Sequence, residues 1–101
     1  MEMGIQLIKL LKYWQPHLII SKKNNRIKSY VGYTKNLTKR INSHNTNKGA
    51  KSTRGRFWKI AYKKKFNNKS KALKYEYYLK KNITLRKKIK NSYAKKKDSH
   101  I

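Results

Sequence analysis

The chain has no cysteine, one proline and only four glycines in 101 residues. Without thiols it can build neither a disulfide framework nor a thiolate zinc site, so apolar packing must hold its core together. Acidic residues are nearly as scarce: three stand against 29 Lys and Arg, for a formal charge of +26. A charge of that size repels itself on a small surface until a polyanion neutralises it, which makes nucleic acid the leading partner. The basic residues are interleaved with aromatics along the chain instead of lining one long amphipathic helix, so a membrane is not expected as a partner. Heavy use of Lys, Asn, Ile and Tyr is also what an AT-rich coding sequence yields, and this can account for part of the charge. No apolar run reaches the roughly 18 residues of a membrane span, and Lys9 and Lys12 interrupt the N-terminal apolar stretch, unlike a cleavable leader. The expectation is a soluble intracellular protein of the cytoplasm or nucleoid.

The shortage of acids removes whole reaction classes. Two-metal phosphodiester sites need several carboxylates, and paired-carboxylate glycosidase or aspartic protease chemistry needs two. Glu2 and Asp98 lie close to the termini, which leaves Glu76 as the internal carboxylate. At 100° per residue on a helix, Glu76 falls within the arc of Ala72, Leu73 and Leu79, away from the lysine-bearing face. A core-facing charge needs a partner. Two readings of it stand: a structural ion pair with a nearby Lys or Arg, or a ligand of a magnesium ion, which commonly takes one or two protein carboxylates and completes its shell with water and phosphate.

Periodicity organises the rest. Residues 5–14 carry apolar side chains at helical spacing, ended by Pro16, and predict a short N-terminal helix. His17–Ser21 and Lys28–Thr34 are β-favouring runs separated by the polar stretch Lys22–Arg26, as in a hairpin. On the second strand Tyr30 and Gly32 share one face and Val31 and Tyr33 the other. Asn36 can cap a helix with Leu37 and Ile41 on its buried stripe and with Arg40 and His44 one turn apart on the margin of that stripe. A basic loop over residues 49–56 precedes a third strand within Phe57–Phe66, expected to place Trp58, Ile60 and Tyr62 on one face. Ser70 can cap a helix over Lys71–Lys81, and Asn82 separates it from another over Thr84–Tyr93. The organisation expected is a helical extension over 1–16, one domain over 17–93 and a disordered basic tail over 94–101.

Tyr30, Tyr33, His17, His44 and Arg40 supply phenols, imidazoles and a guanidinium that could grip or deprotonate groups around a phosphate. Taken singly, each has an ordinary structural reading as a core aromatic, a hydrogen-bonded histidine or a surface cation. Their order is more specific. Tyr30-Val31-Gly32-Tyr33-Thr34, then Asn36, Arg40, His44 and Asn45, then Gly49-Ala50-Lys51 with Thr53-Arg54-Gly55, Trp58, Ser70-Lys71-Ala72-Leu73 and Glu76 resemble the GIY-YIG nucleases. The branch is that of small bacterial single-domain members and the nuclease half of the Slx junction-resolving enzyme, and the likeness covers about residues 17–80.

The resemblance implies an α+β fold, a small three-stranded antiparallel sheet flanked by helices. It further implies an endonuclease that hydrolyses DNA phosphodiester bonds with one Mg2+ (or Mn2+) ion, leaving a 5′-phosphate and a 3′-hydroxyl. In that family's pattern Tyr30 would position or deprotonate the attacking water together with His44. Arg40 would bind the scissile phosphate, and Glu76 would hold the ion. Lys51, Arg54, Arg56 and Thr34 are the residues expected to grip the backbone. The pattern departs at the first motif, where Gln15-Pro16-His17 stands for Gly-Ile-Tyr and an imidazole replaces the phenol. The expected substrate is DNA, whether branched, nicked or single-stranded, in preference to RNA, with no small-molecule cofactor. The alternative is a catalytically inactive basic nucleic-acid-binding protein. A third idea is metal-free RNA cleavage with His17 and His44 as base and acid.

Overall fold

The computed structural model describes residues 12–98. Three strands form one antiparallel sheet: β1 (Gln15–Lys23), β2 (Arg26–Thr34) and β3 (Lys59–Lys63), in the spatial order β2-β1-β3. Helix α1 (Leu37–Asn45) follows β2, and α2 (Lys69–Lys81) and α3 (Ile83–Asp98) follow β3. The fold is therefore α+β, as the resemblance implies. The helix expected over residues 5–14 lies outside the described residues apart from its end, where Trp14 makes an antiparallel bridge with Phe66.

The hairpin is longer than its apolar runs. Its strands pair from Gln15 with Thr34 to Lys23 with Arg26, leaving a two-residue turn at Asn24-Asn25. Both asparagines have positive φ, 54° and 63°, the geometry of a type I′ turn, whose twist matches that of the strands. Polar residues thus extend the strands as far as the turn chemistry allows, which hydrophobic pattern alone does not reveal.

Directly opposed residues share a face. Leu18 and Val31 point to the side covered by α2 and α3, where they form the core with Leu79, flanked by Ala61, Tyr62, Tyr75, Leu85 and Ile89. His17, Gly32, Ile19 and Tyr30 point to the opposite side, towards α1. The alternation expected on β3 does not hold. Ile19 pairs with Ile60 but Leu18 pairs with Tyr62, so Ala61 is an extra residue and the bulge turns Ile60 and Tyr62 to opposite faces. Ile60 is left exposed while Trp58, just before the strand, is buried.

Caps explain the helix boundaries. The Asn36 side chain accepts from Lys39 N, as expected, but α2 is capped by Asn68 through Lys71 N, so it begins two residues before the expected start. Asn82 accepts from Leu85 N and opens α3, which runs past Tyr93 to Asp98. Leu73, expected on the buried arc of α2, is exposed, whereas Ala72 and Leu79 are fully buried.

The turn yields a test. Asn25→Val places a β-branched residue at positive φ and should cost more than about 1 kcal/mol, whereas Asn25→Gly should be neutral or stabilising. Urea denaturation of the two variants measures the difference.

Candidate active site

Pairing His17 opposite Gly32 puts the imidazole against the one residue in β2 without a side chain. A Cβ at Gly32 would stand 3.1 Å from His17 Nε2 and 3.5 Å from the Tyr30 ring. Absence of that methyl lets the histidine and Tyr30, diagonal neighbours on this face, approach each other. From the helix side His44 packs its ring on Tyr30, centroids 5.3 Å apart at 61°. His44 is completely buried, so it lies at the centre of the α1 contact and not at its margin as helical spacing suggests. The helix is short and shares its buried side between Leu37 and His44.

Each imidazole has a defined tautomer. His17 Nδ1 is 2.9 Å from the Gln15 carbonyl oxygen, which can only accept, so Nδ1 carries the proton and Nε2 is bare. Thr53 Oγ1 donates its single proton to the Ala50 carbonyl at 2.8 Å, so it accepts from His44 Nδ1, also at 2.8 Å. Nε2 of His44 is bare as well. Both Nε2 atoms are buried without a hydrogen-bond partner among the described residues.

Burial pushes the His17 imidazole below its ordinary value of 6.5; the Gln15 carbonyl raises it, the Arg40 charge lowers it further and the Glu76 carboxylate raises it. Burial, then Arg40, then His17 lower His44 to about 4. Both rings are therefore neutral at pH 7, each with a lone pair free to take a proton. The charges of Arg40 on α1 and Glu76 on α2 both act on His17. Arg40 is half-buried, with Nε lacking a partner among the described residues. Glu76 is 12% exposed and pairs through Oε1 with Lys80 at 3.0 Å. Among the described residues no three His, Asp or Glu side chains are grouped as a metal cage. One recessed carboxylate fits instead a hard cation that keeps most of its water.

The remaining expected residues divide. Tyr33 lies on the other face of β2, against Trp14 at 5.8 Å. Thr34 Oγ1 accepts from Asn36 N, which shapes the entry to α1. Arg56 donates to the carbonyls of Ser21 and Arg26, strapping the loop to the hairpin. Lys51 and Arg54 are exposed on the loop. Asn45 exchanges two hydrogen bonds with the Trp58 backbone, at 2.6 and 3.1 Å, and Trp58 Nε1 donates to the Thr53 carbonyl. Sequence reasoning missed Thr53 and Gly49 as supports of His44. A Cβ on Gly49 would overlap His44 Nδ1, a close approach that no periodicity in the sequence signals.

Thr53→Val keeps the volume but strands a buried N–H, and should cost about 1–3 kcal/mol; Thr53→Ser should cost less, and denaturation midpoints decide. Because His44 binds its proton less readily when folded, its contribution is greatest above pH 6.5 and declines as pH falls towards about 4. Replacing His44 with Gln should flatten that part of the stability profile.

The chain matches the family model for the GIY-YIG catalytic domain over residues 13–97. It is 54% identical over 52 residues to a UPF0213 protein of Oceanobacillus iheyensis, covering 50% of this chain and 60% of that protein. It is 45% identical over 69 residues to one of Bacillus licheniformis (67% and 68% covered) and 41% identical over 69 residues to YazA of Bacillus subtilis (67% and 67%). The chain thus spans roughly two thirds or less of the length of these relatives, and no solved structure matches it significantly. With the three-stranded sheet and the motif order in place, the chain belongs to the GIY-YIG family of nucleases, among the small UPF0213 proteins.

Proposed function

We propose that this protein is a metal-dependent endonuclease that cuts DNA at the face of β1 and β2 beneath α1. The observation that supports the reading most is the bare Nε2 of buried His17, held within the fields of both Arg40 and Glu76. A base, a phosphate-binding cation and a carboxylate are the minimum for hydrolysing a phosphodiester, and no second internal acid is needed.

His17 Nε2 accepts the proton of the attacking water, taking over the task of the phenol that the family's first motif supplies. Its depressed basicity keeps it unprotonated at neutral pH, so it is ready to act without prior deprotonation. Tyr30, packed against His44 and a diagonal neighbour of His17 across the strand pair, orients that water through its hydroxyl. Arg40 binds the phosphate bidentately and stabilises the charge that develops on its oxygens. Glu76 would hold the divalent ion, Mg2+ or Mn2+, which when bound supplies charge neutralisation at the leaving 3′ oxygen. Departure of that oxygen leaves a 5′-phosphate and a 3′-hydroxyl. Exposed Lys51 and Arg54 neutralise flanking phosphates, with affinity that falls as salt rises.

A second reading, a binding protein without catalysis, draws on one observation: Glu76 is already paired with Lys80. That pair is a neighbour on one helix with its lysine half-exposed, a type of contact that holds weakly and yields readily to a stronger charge.

The test is a nicking assay on supercoiled DNA with and without chelator. Wild type should cut in Mg2+ and stop in EDTA. Arg40→Ala should lose roughly 10²- to 10³-fold in rate, and Glu76→Gln should lose all measurable cutting while binding persists. Wild-type cleavage unaffected by EDTA and by Glu76→Gln would reject the assignment; binding with no cleavage under any condition would establish the second reading.

A further inference from the structure

A surface next to the cutting site remains unexplained by it. Trp14 is pinned by a two-way backbone bridge with Phe66, Trp14 N to Phe66 O at 2.7 Å and Phe66 N to Trp14 O at 2.8 Å. Its ring leans on Tyr33, and two exposed lysines stand over it, Lys35 at 4.8 Å and Lys69 at 5.2 Å from the centroid. Nothing in the core requires this arrangement. Trp14 is only half-buried and belongs to the edge where the sheet begins, while the core forms around Leu18, Val31 and Leu79.

Two independent rulers place this ring relative to the site. Along β1, Trp14 precedes His17 by three residues, or about 10 Å at a strand rise of about 3.3 Å. Along α2, Lys69 precedes Glu76 by seven residues, two turns on the same face, or about 10 Å at 1.5 Å per residue. Lys35 immediately precedes the Asn36 cap of the helix that carries Arg40. The ring and its two cations therefore lie near the starts of the three elements that carry the site residues, about three stacked base steps of roughly 3.4 Å each along the backbone, with the ring packed on Tyr33, on the sheet face opposite His17.

We propose that Trp14 is a stacking subsite for an unpaired base, with Lys35 and Lys69 binding the phosphates on either side of it. The subsite rests on the nuclease reading for its purpose and makes the preferred substrate a strand with single-stranded character within a few nucleotides of the cut. The chemistry is specific to an unpaired base. An indole offers its face to any base, whereas a base in a duplex has both faces covered by its neighbours. The two ammonium groups occupy the ring as cation–π partners when no nucleic acid is bound. A base arriving on the indole releases them to the phosphates of the same strand, so no charge is left unpaired. Anionic lipid would satisfy the lysines but gives the pinned indole no flat partner.

The experiment measures binding in EDTA, so that it stands apart from cleavage. Full-length protein is titrated with a dT oligomer, its rU counterpart and a duplex of equal length, following tryptophan emission. Trp58 is 2% exposed, so quenching reports Trp14. Quenching by the single strands, weak quenching by duplex, and loss of the quench in Trp14→Phe with most affinity retained are the expected results; the dT and rU arms show whether the sugar matters. Trp14→Ala should weaken single-strand binding roughly 5- to 100-fold and duplex binding hardly at all. Wild-type emission unchanged at saturation, or equal losses on single strand and duplex, would overturn the proposal. If Trp14→Ala does not fold, Lys35→Gln/Lys69→Gln replaces it: both positions are exposed, and the same selective loss for single strands is required. A protein that quenches but never cuts would remove the nuclease reading and leave the subsite standing.

Discussion

The register of β1 against β2 is the constraint on which everything else in this molecule rests. Side chains alternate strictly along a strand, so slipping β1 by one residue against β2 would send His17 into the core and bring Leu18 to the opposite face. The two-residue turn at Asn24-Asn25 fixes that register from one end, and the bridge between Trp14 and Phe66 fixes β1 from the other. Gly32 then does for the site what a larger residue could not, by leaving room for an imidazole across the strand pair. Apolar packing of one face thus determines which polar groups gather on the other.

Electrostatics in such a basic chain work against ionised histidine. Burial and the nearby guanidinium both favour the neutral ring, and the single recessed carboxylate is the counterweight at His17. The consequence is a pair of imidazoles that keep their lone pairs in the field of the Arg40 guanidinium. A fixed cation and unprotonated imidazoles thus act in one region, a combination that water could not maintain around an exposed histidine.

Much of this could be read from residue order. The hairpin, the Asn36 cap, the face division of Tyr30 and Val31 and the place of Glu76 on the inner side of its helix follow from alternation, helical spacing and cap chemistry, which act locally. What escaped was set by distant parts of the chain. The bulge at Ala61 depends on how β3 meets β1, and nothing in Phe57–Phe66 announces it. The start of α2 is read from Ser70 in the sequence, whereas Asn68, two residues earlier, is the residue that caps it. The hydrogen bonds that tie Arg56 to the hairpin carbonyls likewise join residues far apart in the chain. Burial of His44 beneath Thr53 and Gly49 joins residues from a helix and an irregular loop, where there is no period to follow.

The Thr53 hydroxyl ends in a carbonyl, and that termination limits how the histidine above it can work. A hydroxyl has one hydrogen, and here it points at the Ala50 oxygen, which has none to pass on in return. No relay can run from the ring through Thr53 into the interior. A proton gained at the other ring nitrogen, Nε2, therefore has no way out through Thr53 and can leave only by the nitrogen that took it.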